Sequence, residues 1–253
     1  MTVVILGCGF TGERVARRML ARGARVIGTA REPERLTALG IEGIRVEDVP
    51  SVIERGCLVL HSIPPEGAPD VIQLLGDAPA RVVYLSTTGV YGAAHIVDET
   101  TEVDWSSDRA RVRLEAERAI TAGPWSTLVL RPAAIYGPGR GVQESVRRGT
   151  YPPGENFISR IHVDDLAAHA EAALLSDLTG AYPVADEEPC TSREIAEFCA
   201  KLLGVELPVN PVPRPRIFGD RKVDGSAIRR LLGVTLQYPS YRTGIPSTIR
   251  AVS

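Results

Sequence analysis

Residues 3–12 read VVILGCGFTG, and the chain continues ERVARRMLARG. Four successive apolar residues suit a strand buried on both faces. In the segment that follows, Val15, Ala16, Met19 and Leu20 fall on one helical stripe, and Gly23 closes the helix. Between strand and helix lies GCGFTG, a G-x-G-x-x-G pattern in the one context that gives it meaning. Gly7 permits a tight turn, Gly9 lets the backbone approach a pyrophosphate, and Gly12 lets helix and strand pack closely. The helix start adds free N–H groups and partial positive charge. Gly7, Gly9, Phe10, Thr11 and Gly12 are therefore candidate dinucleotide contacts; the alternative is a purely structural glycine turn.

The same alternation continues. ARVIGTA (24–30), GIRVEDV (43–49), CLVLHSI (57–63), RVVYLSTTGVYG (81–92) and STLVLRPAAIYGPG (126–139) read as further strands separated by helical segments. Strands spaced this way imply right-handed crossovers and an α/β fold with a doubly wound parallel sheet. Ligands of such sheets bind beyond the carboxyl ends of the strands. The glycine loop, HSIPP, STTGVYG and RPAAIYGPGR all fall there. In the second half, 161–175 reads as a helix with Asp164 or Asp165 near its start. Thr191 and Glu194 form a capping pattern, and 224–233 is a short helix. PVNPVPRPRIFGDRK (208–222) reads as an extended basic loop. The expected division is a nucleotide-binding domain over 1–178, with 138–158 contributing to a substrate lobe formed by 179–253.

The end of the second strand chooses between cofactors. A carboxylate there would hold the ribose 2′-hydroxyl of NAD. The sequence has Thr29-Ala30-Arg31, and an arginine suits a 2′-phosphate, so NADP is favoured with NAD as the alternative. Asp48 is a candidate adenine contact or a plain loop residue. A net charge of −2 over 253 residues gives no basic face for nucleic acid. No apolar run approaches membrane-spanning length, and the N-terminus lacks the basic start of a signal peptide. Cys8, Cys57, Cys190 and Cys199 are scattered as free thiols rather than a zinc set, and a cytoplasmic setting with no metal is expected.

With these pieces placed, the chain resembles the NAD(P)-dependent epimerase/dehydratase group, the extended and atypical short-chain dehydrogenase/reductases with a Rossmann fold. GCGFTG, LSTTGVYG (85–92), LRPAAIYGPGR (130–140) and IHVDDLA (161–167) carry the resemblance. It implies that Pro132 lies beside the nicotinamide and that Ser86 binds cofactor. It also implies that Thr87 or Thr88 hydrogen-bonds the substrate oxygen. His162 and Asp165 would be structural or site-lining. Extended members carry GxxGxxG, with a glycine where Leu6 stands here.

A second departure is RARVR, residues 109–113. Aligning RLEAE with the family's segment puts Arg109 at the position of the catalytic tyrosine and Arg113 at that of its lysine. No tyrosine in the chain has a lysine four residues later. Arginine does not release its proton at accessible pH, so Arg109 cannot act as general base. Arg113 keeps the positive charge and can hold ribose hydroxyls; solvated helix arginines are the alternative. Tyr91, Tyr136 and His162 are candidate substitute proton donors, with packing roles as their alternative. The candidate catalytic set is Thr87, Thr88, Tyr91 and Arg113. Arg140, Arg214, Arg216 and Arg221 are candidate clamps for an acidic substrate. Two functions fit: an NAD(P)-dependent oxidoreductase or epimerase/dehydratase acting on a polar small molecule such as a nucleotide sugar or carbonyl compound, or a non-catalytic dinucleotide-binding redox sensor or regulator. A monomer or homodimer is expected.

Overall fold

The computed structural model describes residues 1–65, 70–207 and 220–250. Arg214 and Arg216 lie outside the described residues. Seven parallel strands form one sheet: β1 (Thr2–Leu6), β2 (Arg25–Thr29), β3 (Glu42–Ile44), β4 (Cys57–His61), β5 (Pro79–Leu85), β6 (Ser126–Pro132) and β7 (Gly180–Val184). Their order is β7-β6-β5-β4-β1-β2-β3, with every neighbouring pair parallel. The sequence direction reverses between β1 and β4, the switch point where such sheets open a crevice.

Both faces of the sheet are covered, which is why its strands are continuously apolar. Val3, Val4, Ile5 and Leu6 are fully buried. One face packs on α1 (Gly12–Ala21) and α2 (Val163–Leu174), with Val15, Ala16, Met19, Leu166 and Ala170 in a shared core. Leu74, Leu75 and Ile120 come from helices on the other face, where they meet Val4, Val82 and Tyr84. α1 ends as the sequence predicts: Gly23 has φ +76° and its amide donates to Leu20 O at 2.8 Å.

Four elements differ from the sequence reading. The third strand stops at Ile44, and residues Val46–Asp48 form a helical turn instead. Pro50, at the start of the following Val49–Val52 helix, fixes the helical φ there. The segments ending in STTGVYG and AAIYGPG leave the sheet at Leu85 and Pro132, because their glycines and hydroxyl residues turn the chain. β7 was not read as a strand. Its pairing with β6, Gly180 to Leu128 through Val184 to Pro132, brings chain from beyond position 178 into the sheet.

A third apolar cluster lies outside the sheet. Tyr136, Val146 and Tyr151 meet Ile195, Ala196 and Cys199 of α3 (Ser192–Leu203), and Tyr241 and Ile245 of the Tyr241–Arg250 helix. The capping box at Thr191 and Glu194 forms as its spacing requires.

Arg81 ties the α2 terminus to the sheet. It is 4% exposed, and its guanidinium donates to Ala173 O at 2.7 Å, Leu178 O at 2.5 Å, Ser126 Oγ at 2.7 Å and Ser176 Oγ at 3.2 Å. The Leu178 carbonyl beyond the helix end is thereby satisfied, and the Ala173 carbonyl, which also accepts from Ser176, gains a charged donor. Arg81→Leu should lower the unfolding free energy by roughly 3–5 kcal/mol, since each buried acceptor left unpaired costs about 1–3 kcal/mol. Urea unfolding followed by circular dichroism checks this; a loss below about 1 kcal/mol would show that water replaces the guanidinium.

Candidate dinucleotide site

The loop after β1 is stitched to both neighbouring strands. Gly7 N donates to Thr29 Oγ1 at 2.9 Å and Cys8 N to Thr29 O at 2.8 Å, which fastens the loop to β2. On the β4 side, Ser62 Oγ donates to Gly7 O at 2.7 Å. Gly7 has φ +81°, a region that side chains rarely adopt. A Cβ on Gly12 would lie 2.9 Å from Gly7 O and 3.0 Å from Ile5 Cγ2, so helix and strand meet only if this position is bare. Gly9 differs from both: a Cβ built there meets nothing within 4 Å. Its surface is open, as a backbone approached by phosphate requires. Beside it, the amides of Phe10 and Thr11 donate to no protein group among the described residues.

A cavity of about 990 Å³ opens from this loop over the carboxyl ends of β2, β3 and β4. Its walls include Gly7, Cys8, Gly9, Thr29, Arg31, Arg35, Arg45, Ser62 and Ile63. Arg31 is exposed on the rim of this cavity. Arg35 and Arg45 were not singled out from the sequence. Arg45 directly follows the third strand, which ends earlier than its sequence suggests, and Arg35 lies in the short Glu34–Thr37 helix. Arg35 is partly committed, donating to Cys8 O at 2.5 Å and pairing with Glu13. Asp48 does not line the cavity, whereas Val46 and Glu47 do. The Cys8 thiol is pushed up to about 12 by burial, with Glu13 acting in the same direction, so it stays protonated.

The hydroxyl cluster lies across the sheet, outside this cavity, at the ends of β5 and β6. Ser86 N donates to Leu130 O at 2.8 Å, while Ser86 Oγ is buried without a hydrogen-bond partner. A buried hydroxyl without a partner in the protein calls for an ordered water or a ligand to satisfy it. Thr87 Oγ1 accepts the Gly89 amide at 3.1 Å and starts the Thr88–Tyr91 turn; its own proton remains to be donated. Thr88 is nearly buried, and its carbonyl is held by Arg221 Nη1 at 2.5 Å. Arg221 also donates to Ala94 O at 3.1 Å and to Gly92 O. It is thus spent on the loop rather than free to clamp a substrate. Pro132, buried, ends β6 beside Val184.

Tyr91 sits beneath this loop. It is 2% exposed among Ala110, Leu114 and Val223, and its hydroxyl accepts from Arg131 Nη1 at 3.2 Å. Burial pushes its phenol up, and Arg131 pulls it partly back. Arg131 in turn pairs with the buried Glu117 at 2.7 Å. Glu117 lies one turn beyond Arg113 on the same helix. The helix Asp108–Thr121 places Arg109 in solvent and leaves Arg113 half-buried.

Tyr136 and His162 are also turned away from the open edge. Tyr136 is buried against the C-terminal helix, where a Cβ on Gly244 would lie 2.0 Å from its hydroxyl. His162 Nδ1 accepts the Asp164 amide at 3.2 Å as the N-cap of α2, and burial pushes the imidazole down to about 4, leaving it neutral. Asp165 receives the amides of Gln237 at 2.7 Å and Tyr238 at 3.0 Å, which anchors the C-terminal segment. Among the described residues no group of three His, Cys, Asp or Glu side chains could hold a metal ion. No helix there is long and apolar enough to cross a membrane.

Comparison with known proteins agrees with this geometry. Residues 2–89 match the family described as NADP oxidoreductase, coenzyme F420-dependent. A conserved protein of unknown function from Silicibacter pomeroyi is 32% identical, with a TM-score of 0.84, covering 99% of this chain and 98% of its own. An inferred NAD-dependent epimerase/dehydratase from Methylobacillus flagellatus is 26% identical with a TM-score of 0.81 over 99% and 98% of the two chains. A 3-diazoavenalumate denitrifying reductase from Streptomyces is 26% identical over 97% of this chain and 99% of its own. At 21% and 20% identity, UDP-glucose 4-epimerase of Thermus thermophilus with NAD and a human epimerase family protein with NADPH share the fold, each with a TM-score of 0.80. The fold and glycine loop define an NAD(P)-binding Rossmann protein. Within that class its structural neighbours are NAD(P)-dependent epimerase/dehydratase family proteins, and its fold is that of an atypical short-chain dehydrogenase/reductase.

The roles of Gly9 and Gly12 separate experimentally. Gly9→Ala should melt within about 2 °C of the parent yet bind NADPH at least tenfold more weakly, because its methyl occupies the phosphate path. Gly12→Ala should lower the melting temperature by several degrees through the clash with Gly7 O and Ile5. Thermal melts and fluorescence titrations check both; undiminished binding by Gly9→Ala would remove the phosphate from this loop.

Proposed function

We propose that the chain is an NADP-dependent oxidoreductase or epimerase/dehydratase acting on a polar small molecule, such as a nucleotide sugar or a carbonyl compound. The observation that carries this reading is the open backbone at Gly9, with the unspent amides of Phe10 and Thr11 leading into a cavity rimmed by Arg31. Those amides and the positive end of α1 hold the diphosphate, while Arg31, aided by Arg45, meets the 2′-phosphate of NADP. Ser86 and Pro132 contact the nicotinamide end. When bound, the dinucleotide supplies hydride transfer at the nicotinamide ring.

Thr87 donates its hydroxyl proton to the substrate oxygen, its orientation fixed by the Gly89 amide, and Thr88 lies alongside. Arg113 supplies fixed positive charge near the ribose, the part of the lysine's role that an arginine can keep. Tyr91 shapes the loop from below, since its hydroxyl is already engaged by Arg131. The Streptomyces reductase supports a redox reaction on a non-sugar substrate; the Thermus thermophilus epimerase supports a nucleotide sugar.

One observation favours a second reading, dinucleotide binding without turnover: arginines stand where the family's proton-transferring tyrosine and lysine belong. A sensor of this kind would act through its bound dinucleotide rather than its thiols. Burial keeps Cys8, Cys57, Cys190 and Cys199 protonated, all of them far above neutral pH.

Screening the NADPH-loaded protein against sugar nucleotides and simple carbonyl compounds, with absorbance of the reduced nicotinamide as readout, separates the two. The enzyme reading predicts turnover with at least one compound, lowered tenfold or more by Thr87→Ala. Tight binding with no turnover across the panel selects the sensor. For the cofactor, Arg31→Ala should weaken NADPH by roughly 10–100-fold, the loss of one charge-assisted contact, and NADH by less than about twofold. Equal losses for both would remove the preference for NADP.

A further inference from the structure

The GPGRG turn, residues 137–141, abuts the glycine loop: a Cβ on Gly137 would lie 3.0 Å from Phe10 Cζ. Its backbone is rigidly specified. Gly137 and Arg140 exchange main-chain hydrogen bonds at 2.8 and 3.1 Å. The fully buried Gln143 donates Nε2 to Gly137 O at 2.9 Å and to Arg140 O at 3.1 Å. Gly139 and Gly141 take φ of +72° and +136°, which side chains rarely adopt. Main-chain atoms of Arg140 are thus fixed while its side chain stays exposed.

That side chain rests against the glycine loop. Its guanidinium carbon lies 5.2 Å from the centre of the Phe10 ring. Arg14 approaches the same ring at 4.4 Å but is committed elsewhere, to Asp164 at 2.9 Å and Phe10 O at 2.6 Å. The Arg140 guanidinium has no carboxylate or hydrogen-bonding partner among the described residues. An uncommitted guanidinium on a stiff turn therefore stands by the ring of Phe10, whose own amide and that of Thr11 are uncommitted. The helix terminus carries only about half a unit charge, far short of balancing a doubly ionised diphosphate. A planar guanidinium supplies a full charge and a fork matched to two phosphate oxygens.

We propose that Arg140 forms the second wall of the diphosphate site, leaving the Phe10 ring to close over the bridge that the glycine-loop amides hold from beneath. This rests on the dinucleotide reading given above. It assigns Arg140 to cofactor rather than to an acidic substrate.

The test is calorimetric titration of the parent chain, Arg140→Ala and Arg140→Lys with NADPH, NADH and ADP-ribose, beside thermal melts. All three ligands share the diphosphate, ADP-ribose lacks the nicotinamide, and only NADPH carries the 2′-phosphate. The proposal predicts an equal loss of roughly 10–100-fold for all three in Arg140→Ala. It also predicts a smaller loss in Arg140→Lys and an unchanged melting temperature. Binding of all three by Arg140→Ala at parental strength overturns the proposal and leaves the dinucleotide reading standing. A loss confined to NADPH and NADH places Arg140 at the nicotinamide and likewise overturns it. If the parent binds none of the three, both readings fail together.

Discussion

The close approach of β1 to α1 governs what this chain can bind. Leu6 and Gly12 are separated by a loop so tight that neither Gly7 nor Gly12 tolerates a side chain, the first for its φ and the second for want of space. Thr29 and Ser62 consume the polar groups at the start of the loop, tying it to β2 and β4. What remains unspent is the rest of the loop, where the Phe10 and Thr11 amides have no acceptor among the described residues and the space at Gly9 is open. Any substitution that pushed helix and strand apart would scatter those donors. The anion site is a by-product of packing, and packing and binding cannot be tuned separately except at Gly9.

Charged ties carry that geometry outward. Arg14 joins the start of α1 to Asp164 at the start of α2, and Arg18 and Arg22 both meet the buried Glu171 on the same helix at 2.5 Å. The two helices are thereby held in register over one face of the sheet. Asp165 fastens the segment at 237–238, and Arg221 spans from the second half of the chain to the loop bearing Thr87 and Thr88. Glu171 and Asp165 are themselves buried, and a buried carboxylate left unpaired is costly. Such contacts do less for net stability than for fixing which arrangement of loop, helix and lobe is adopted.

Much of this was legible in the sequence, for identifiable reasons. The parallel sheet announced itself because both of its faces are covered, which makes continuous apolar runs such as VVIL diagnostic. Gly7, Gly12 and Gly23 could be given roles because each role follows from the absence of a side chain. β7 was missed because GAYPV is short, holds a proline and sits on the sheet edge, so its pattern is weak. Arg35 and Arg45 went unremarked because their convergence with Arg31 depends on how three loops fold together. Arg221 looked like a substrate clamp by charge alone, whereas its carbonyl partners are more than a hundred residues away in sequence. Tyr91 shows the same limit: the motif placed it near the site, but only the fold reveals Arg131 on its hydroxyl.

RARVR acquires a physical setting here. Arg109 faces solvent, and Arg113 is half-buried one turn before Glu117, whose carboxylate belongs to Arg131. The helix carries arginines and lacks the phenol that would exchange a proton. What stays constant under either functional reading is the grip on the diphosphate, and its most direct measurement is the backbone amide spectrum of isotope-labelled protein titrated with NADPH. The account predicts that the Phe10 and Thr11 amide protons move strongly downfield as they gain a charged acceptor, in step with saturation. Saturable binding that left both resonances in place would contradict it.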